Sequence, residues 1–198
     1  MEGATIPVSE PQTHELIARL QRNEPGAYEE FMAQFGPGLL RFGRRMCGDP
    51  DDAQEVLQDT LLKTFQSIGT LKNPGAFKSW LYRILANACL MRRRKSQFLE
   101  EEVPLEETLP ERESLDAGRP WAQLPDRVLQ NSELHRILEK ALLALPPNYR
   151  LVILLRDVEG LSTEETAKAL GVNKDVAKMR LHRARAMMRN ALDSYLGN

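Results

Sequence analysis

Leu145–Arg189, LPPNYRLVILLRDVEGLSTEETAKALGVNKDVAKMRLHRARAMMR, is the stretch on which the reading of the chain turns. Pro146 and Pro147 predict a helix start, because the first helical position needs no N–H. Leu151, Val152, Leu154 and Leu155 give that helix an apolar face, and Gly160 predicts its end. Ser162 with Glu165 three residues later spells a capping box for a second helix. Ala167 and Leu170 face inward from it, Gly171 closes it, Val172 is the buried residue of the turn, and Asn173 caps a third helix. A small residue, a glycine four later and an apolar residue next let two helices cross closely at a steep angle. That is the helix-turn-helix arrangement, whose second helix enters the DNA major groove.

Ala177, Leu181, Ala184 and Met188 recur at helical spacing and predict the inner stripe of the third helix. Lys174, Lys178, Arg180, Arg183, Arg185 and Arg189 spread around the rest, so the helix carries its own phosphate-binding charge. A charge run is most often a solvated face. Here the turn signature directly before the charges favours DNA. Helical geometry puts Lys174, Asp175, Lys178 and Met179 on the leading outward side, with Arg183 and Arg185 further along.

At these residues a family becomes visible. LPPNYRLVILLRDVEGLSTEETAKALGV followed by RLHRARAMMR resembles the C-terminal, −35-reading domain of bacterial sigma factors, with the extracytoplasmic-function (ECF) group nearest. The candidate −35 contacts are then Lys174, Asp175, Lys178, Met179, Arg180, His182, Arg183 and Arg185. Thr166 stands where the family has an aliphatic residue, and Val176-Ala177 where it often has Thr-Val. Both departures bear on how the recognition helix packs and which bases it prefers.

The 198 residues allow one or two modest domains. An apolar share of 42% suits globular cores, and 6% aromatics with few β-branched runs favour an all-α chain. The net charge of −1 is unlike a DNA-binding protein only if charge is evenly spread, and it is not. Cys47 and Cys89 show neither C-x-x-C nor a His at ligand spacing, which argues against structural zinc and for two buried free thiols. His14, His135 and His182 suggest no shared site. MEGATIPVSEPQ has no leader character and no span is long enough to cross a bilayer, so the expectation is a cytoplasmic protein.

Residues 1–12 read as a mobile tail. Thr13 is a candidate cap for a helix carrying Leu16, Ile17 and Leu20; a second helix from Ala27 is expected to break at Gly36-Pro37-Gly38. Asp51 and Asp52 open the most regular helix, DDAQEVLQDTLLKTFQSI, with Ala53, Leu57, Leu61, Thr64, Phe65 and Ile68 as the expected inner stripe. Leu62 is the apolar member of the opposite face: a solitary surface leucine, or an anchor flanked by acids. The resemblance decides for the anchor. The helix resembles the ECF segment that docks on the clamp helices of the polymerase β′ subunit, with Asp52, Glu55, Gln58, Asp59 and Leu62 as docking residues and Gln54 replacing a family acid.

FKSWLYRILANACLMRRRK places Phe77, Trp80, Leu81, Ile84, Leu85 and Ala88 on one face, with Lys78, Tyr82, Arg83 and Asn87 on the other. Arg92, Arg93, Arg94 and Lys95 suit the helix dipole, but four in succession exceed what a cap requires. The segment resembles the ECF part that engages the −10 element, and the loop before it the one that holds a flipped base. The candidate −10 contacts are Lys72, Asn73, Lys78, Arg83, Asn87, Arg92, Arg93 and Arg94.

Residues 97–130 are acidic and interrupted by Pro104, Pro110, Pro120 and Pro125, which predicts a linker, either a solvated tether or a nucleic-acid mimic inside a partner. The expected architecture is all-α: two small helical domains, 13–96 and 131–198, on an acidic flexible linker, the second a helix-turn-helix. The resemblance implies a sigma factor that binds core RNA polymerase through the β′ clamp helices and the β flap. It also implies promoter DNA and an anti-sigma factor as partners. No cofactor, metal or membrane insertion is expected. A stand-alone DNA-binding regulator is the alternative, and it leaves the arginine cluster and docking helix unexplained. No phosphate loop, nucleophile elbow or metal-ligand spacing supports an enzyme.

Overall fold

The computed structural model describes residues 10–97 and 132–196, and every regular element among them is helical. The expected tail and linker lie outside the described residues, save 10–12 and 97. Helix α1 (Glu10–Gln21) begins before Thr13, so Thr13 is a buried helical residue and not the expected cap. Helix α2 (Ala27–Cys47) runs unbroken through Gly36-Pro37-Gly38, contrary to expectation. Proline inside a helix costs about 3 kcal/mol. Phe31, Phe35, Leu39, Phe42 and Met46, all buried on one face of α2, offset that cost. Gly43 lets α3 cross closely, since a Cβ there would lie 3.3 Å from the Ala53 carbonyl oxygen.

Helix α3 (Pro50–Ser67) is capped by Asp49, whose carboxylate accepts from the amides of Asp51 and Asp52 at 2.9 Å. Its buried stripe is Ala53, Val56, Thr60, Leu61 and Thr64, with Ile68 just beyond its end. Leu57 is half-buried and Phe65 is exposed, correcting the expected stripe. The reason is threonine: Thr60 donates to the Val56 carbonyl at 2.7 Å, so its hydroxyl is satisfied inside the helix and its methyl packs inward. Phe65 instead meets the edge of Tyr28, ring centroids 5.1 Å apart. Two 3-10 turns lead to α4 (Phe77–Gln97). Trp80 stacks beside Phe77 at 6.1 Å as a packing residue.

The C-terminal half holds α5 (Ser132–Ala144), α6 (Pro147–Ile153) with a π-turn over Leu154–Val158, α7 (Thr163–Leu170) and α8 (Lys174–Leu196). Pro147 sits in the first turn of α6, and Ser162 and Glu165 make both bonds of the capping box on α7. Gly171 adopts φ +65° to end α7, and the Asn173 side chain accepts from the Val176 amide at 2.8 Å to begin α8.

The two halves share one continuous apolar core. Helix α7 packs along α4, while α5 and α6 pack on α2. At the seam lies Arg150, 1% exposed. Its guanidinium donates to the Met46 carbonyl at the end of α2, to the Leu143 carbonyl in the last turn of α5, and to the Leu145 carbonyl at 3.0 Å. These are carbonyls that helix ends leave without intrahelical partners. Burial pulls the Arg150 pKa down to about 10, so the side chain stays cationic at neutral pH between two negative helix ends. Arg150→Met strands those carbonyls and lowers stability by about 3 kcal/mol. Urea unfolding measures this; a loss under about 1 kcal/mol means the carbonyls find other partners.

Candidate nucleic-acid interface

Helix α8 presents its charge as the sequence predicts. Ala177, Leu181, Ala184 and Met188 are buried against the preceding helices, and Lys174, Asp175, Lys178, Met179 and His182 are exposed. Arg180 and Arg183 are half-buried on the flanks. Lys174 meets Glu164 of α7 at 3.4 Å, and Lys178 lies 3.8 Å from Asp175, both weak surface pairs. Arg185 differs. It is bidentate to Asp157, at 2.6 and 2.9 Å, and the Asp157 side chain is itself buried. That geometry makes Arg185, an expected DNA contact, also a strut between α8 and the π-turn.

On the N-terminal half, Lys72, Asn73, Arg83 and Asn87 are exposed along the loop and α4. The Asn73 side chain also accepts from the Gly75 amide at 3.0 Å and so shapes the loop it belongs to. Arg93 is half-buried; the side chain of Arg94 lies outside the described residues. Arg92 bridges α4 to α3, donating to Asp52 at 2.6 Å and to Glu55. The structure thus ties one expected DNA contact to two expected docking residues. Gln58 and Asp59 remain exposed, and Leu62 is 54% exposed beside Phe65 at 50% and Met91 at 60%. Leu62 and Phe65, three residues apart on α3, lie beside its exposed acids.

Lys78 and Tyr82 point into the seam between the halves. Lys78 donates to the Glu159 carbonyl at 2.7 Å, and the Tyr82 hydroxyl donates to the Glu159 carboxylate. Tyr82, expected on the outer face of α4, is fully buried because α7 and the loop before it cover that face. Burial pushes the Glu159 carboxyl up from its ordinary range, while Tyr82, Lys78, Arg45 and Arg41 pull it back. Sequence reasoning missed Glu159, Tyr82, Arg150 and Asp157. The available signal was a charged residue set within or beside an apolar run, as Arg150 is within YRLVILL.

Cys47 is half-buried and Cys89 buried, and both are free thiols. Among the described residues no group of His, Cys, Asp and Glu is placed to hold a metal, and no helix is long and apolar enough to cross a membrane.

Residues 31–98 match the family model described as Sigma-70 region 2, and residues 135–188 the one described as Sigma-70, region 4. The RNA polymerase sigma-E factor of Streptomyces coelicolor is 37% identical over 165 residues, covering 83% of this chain and 85% of that protein. The ECF sigma factor SigM of Mycobacterium tuberculosis is 30% identical over 178 residues, covering 90% of this chain and 83% of its own. The ECF sigma factor SigE of Mycolicibacterium smegmatis is 32% identical over 84% of this chain, which spans 62% of that relative's length. CnrH, solved in complex with the cytosolic domain of CnrY, shares the fold at a TM-score of 0.63 and 23% identity, covering 92% of this chain and 97% of its own. Both halves match, so a stand-alone regulator that uses only the C-terminal half is not favoured.

Thr166 carries a further consequence for the helix-turn-helix. It is fully buried in α7 and its hydroxyl has no hydrogen-bond partner. A buried unpaired hydroxyl is costly, so Thr166→Val raises stability by about 1 kcal/mol. A lower melting temperature for the variant means that the hydroxyl is satisfied in solution.

Proposed function

The chain belongs to the extracytoplasmic-function group of RNA polymerase sigma factors, and from that premise we propose how its surfaces divide the work. Sigma factors are non-enzymatic initiation factors. This one binds core RNA polymerase, directs it to promoters through −10 and −35 elements and assists opening of the −10 region. Residues 13–96 are the polymerase-docking and −10 unit, 97–130 the tether, and 131–198 the −35 unit. The protein works in the cytoplasm, where polymerase and promoter DNA are.

The observation that carries this reading is the pairing of two family-matched halves, each with an exposed face suited to its task. On α3, Leu62 and Phe65 offer an apolar anchor ringed by Asp59 and Gln58, the pattern of an interface core with a polar rim. On α8, Lys178 and Met179 lead into the groove while Arg183 lies toward the backbone. Lys72, Asn73, Arg83 and Asn87 supply the −10 face, with Arg93 at its end. An anti-sigma factor is a further partner; its support is the likeness to the sigma factor RpoE of Bartonella quintana, solved with the anti-sigma factor NepR, at a TM-score of 0.61.

Run-off transcription with core polymerase and genomic fragments tests the assignment, and discrete transcripts that require this chain are expected. Leu62→Asp weakens polymerase binding by about 10- to 100-fold while leaving the fold intact, as loss of an interface anchor does. Lys178→Ala re-ranks a −35 promoter library at a cost of roughly 1–3 kcal/mol at one base position, whereas Arg183→Ala weakens all members alike. An unfolded Leu62→Asp removes the docking assignment. Reversed behaviour of Lys178→Ala and Arg183→Ala means that α8 is rotated in the groove.

A further inference from the structure

The surfaces assigned to polymerase and promoter make no use of the chain's two cysteines, yet the fold brings these together. Cys47 is the last residue of α2, and Cys89 lies in α4. The two helices run side by side in the same direction. Phe35 meets Phe77 with ring centroids 5.4 Å apart, and further along both helices Phe42 meets Tyr82 at 5.5 Å. From Phe35 to Cys47 along α2 is twelve residues, and from Phe77 to Cys89 along α4 is also twelve. The two thiols therefore stand at one level, about 18 Å beyond the first aromatic pair. Cys89 comes two turns after Tyr82, on the face of α4 that already touches α2. Ala86, buried between them on that face, is small enough to keep the backbones close.

The surroundings of the two thiols differ. Cys47 is half-buried at a helix end, whereas Cys89 is 1% exposed. The Cys89 thiol beside it draws the Cys47 thiol below its ordinary value, and Arg150 and Arg93 add to that pull against burial and Asp52. Cys89 moves the other way, held up by Cys47 and by burial. Thiolate is the reactive form of cysteine, and neighbouring guanidinium groups favour it. Cys47 thus has both access and charge. Cys89 has position only. Among the described residues no His, Asp or Glu completes a metal-ligand set with them.

We propose that Cys47 is a peroxide-reactive thiol and Cys89 its resolving partner, which together close a disulfide tying the end of α2 to α4. In the first step the Cys47 thiolate attacks one oxygen of hydrogen peroxide. The O–O bond breaks, the sulfur becomes a sulfenic acid and hydroxide leaves. In the second step the Cys89 sulfur gives up its proton and attacks the Cys47 sulfur, the S–O bond breaks and water leaves. The two thiols lose two electrons in all, and the peroxide gains them. A dithiol reductant reverses the bond by thiol–disulfide exchange. Arg93 follows Cys89 by one helical turn, so the disulfide fixes the base of the arginine-bearing end of α4. This inference goes beyond the sigma-factor reading and stands independently of it.

The full-length chain, reduced and then freed of reductant, is treated with hydrogen peroxide, alkylated under denaturing conditions and digested with trypsin without reduction. Residues 46–63 and 84–92 are expected as one linked peptide, lighter by two hydrogens than the two reduced peptides together, and dithiothreitol is expected to part them. Cys89→Ser is expected to stop at the sulfenic acid, captured by dimedone at Cys47. Cys47→Ser is expected to lose its remaining thiol at least about ten-fold more slowly than the wild type loses Cys47. A folded wild type in which Cys47 passes to sulfinic acid while Cys89 stays free overturns the proposal. Linkage found only between two chains, or equal reaction rates at the two thiols, overturns it as well. If Cys89→Ser does not fold, Cys89→Ala takes its place, and the peptide map of the wild type decides without either variant.

Discussion

The arrangement of the whole molecule hangs on one buried cation. Arg150 places its guanidinium against the carboxyl-terminal ends of two helices, α2 from one half and α5 from the other, and satisfies carbonyls that those ends leave open. No carboxylate meets it in those bonds; the compensation comes from helix dipoles and carbonyl oxygens. Because the donors on a guanidinium are fixed in a plane, the two helix ends must meet at one distance and angle. Gly48, which ends α2 at φ +80°, leaves the space that Leu143 of α5 fills, since a Cβ there would lie 3.0 Å from the leucine Cδ2. The seating of α7 on α4, and with it the Glu159 contact, follows from that geometry.

A division of labour between shape and charge follows. The interior residues of α8 are two alanines, two leucines and a methionine, and the alanines are small enough to let α7 cross closely, so nearly all of its cationic groups stay on the outside. Arg185 is the exception, and its bidentate bond to buried Asp157 fixes the tilt of α8 on the π-turn. Arg92 does similar work between α4 and α3, holding the acids of the docking face in place. Near-zero net charge thus conceals a sorted surface: acid on α3, base on α8, and buried ion pairs and caps at the junctions.

The helix-turn-helix was legible in the sequence because each of its signals is local. Ser162–Glu165, Gly171 and Asn173 act within four residues of their partners, and the structure contains every one of those bonds. The inner stripe of α8 was legible for the same reason. Thr60 is buried where the expected stripe had Phe65, because a threonine that bonds its own helix behaves as an apolar group, which composition does not reveal. Pro37 was misread as a break because its local cost is outweighed by burial along the rest of α2. Tyr82 and Glu159 were invisible since each is explained by a residue 77 positions away, and Arg150 since its bond across the seam, to the Met46 carbonyl, spans 104 positions. Residues whose partners are distant in sequence carry no periodic signature. The pairing of Arg92 with Asp52, forty positions apart, escaped notice in the same way.

The central claim is that one chain reads two promoter elements from two halves that are packed together when it is free. The distance between a label at Lys72, beside the −10 face, and a label at Lys178 on α8 tests it most directly, measured on the free chain and then with core polymerase on promoter DNA. The account predicts a separation within about 40 Å in the free chain and near 85 Å, about 25 base pairs, on the promoter complex. A distance that stays short in a complex active in transcription contradicts it.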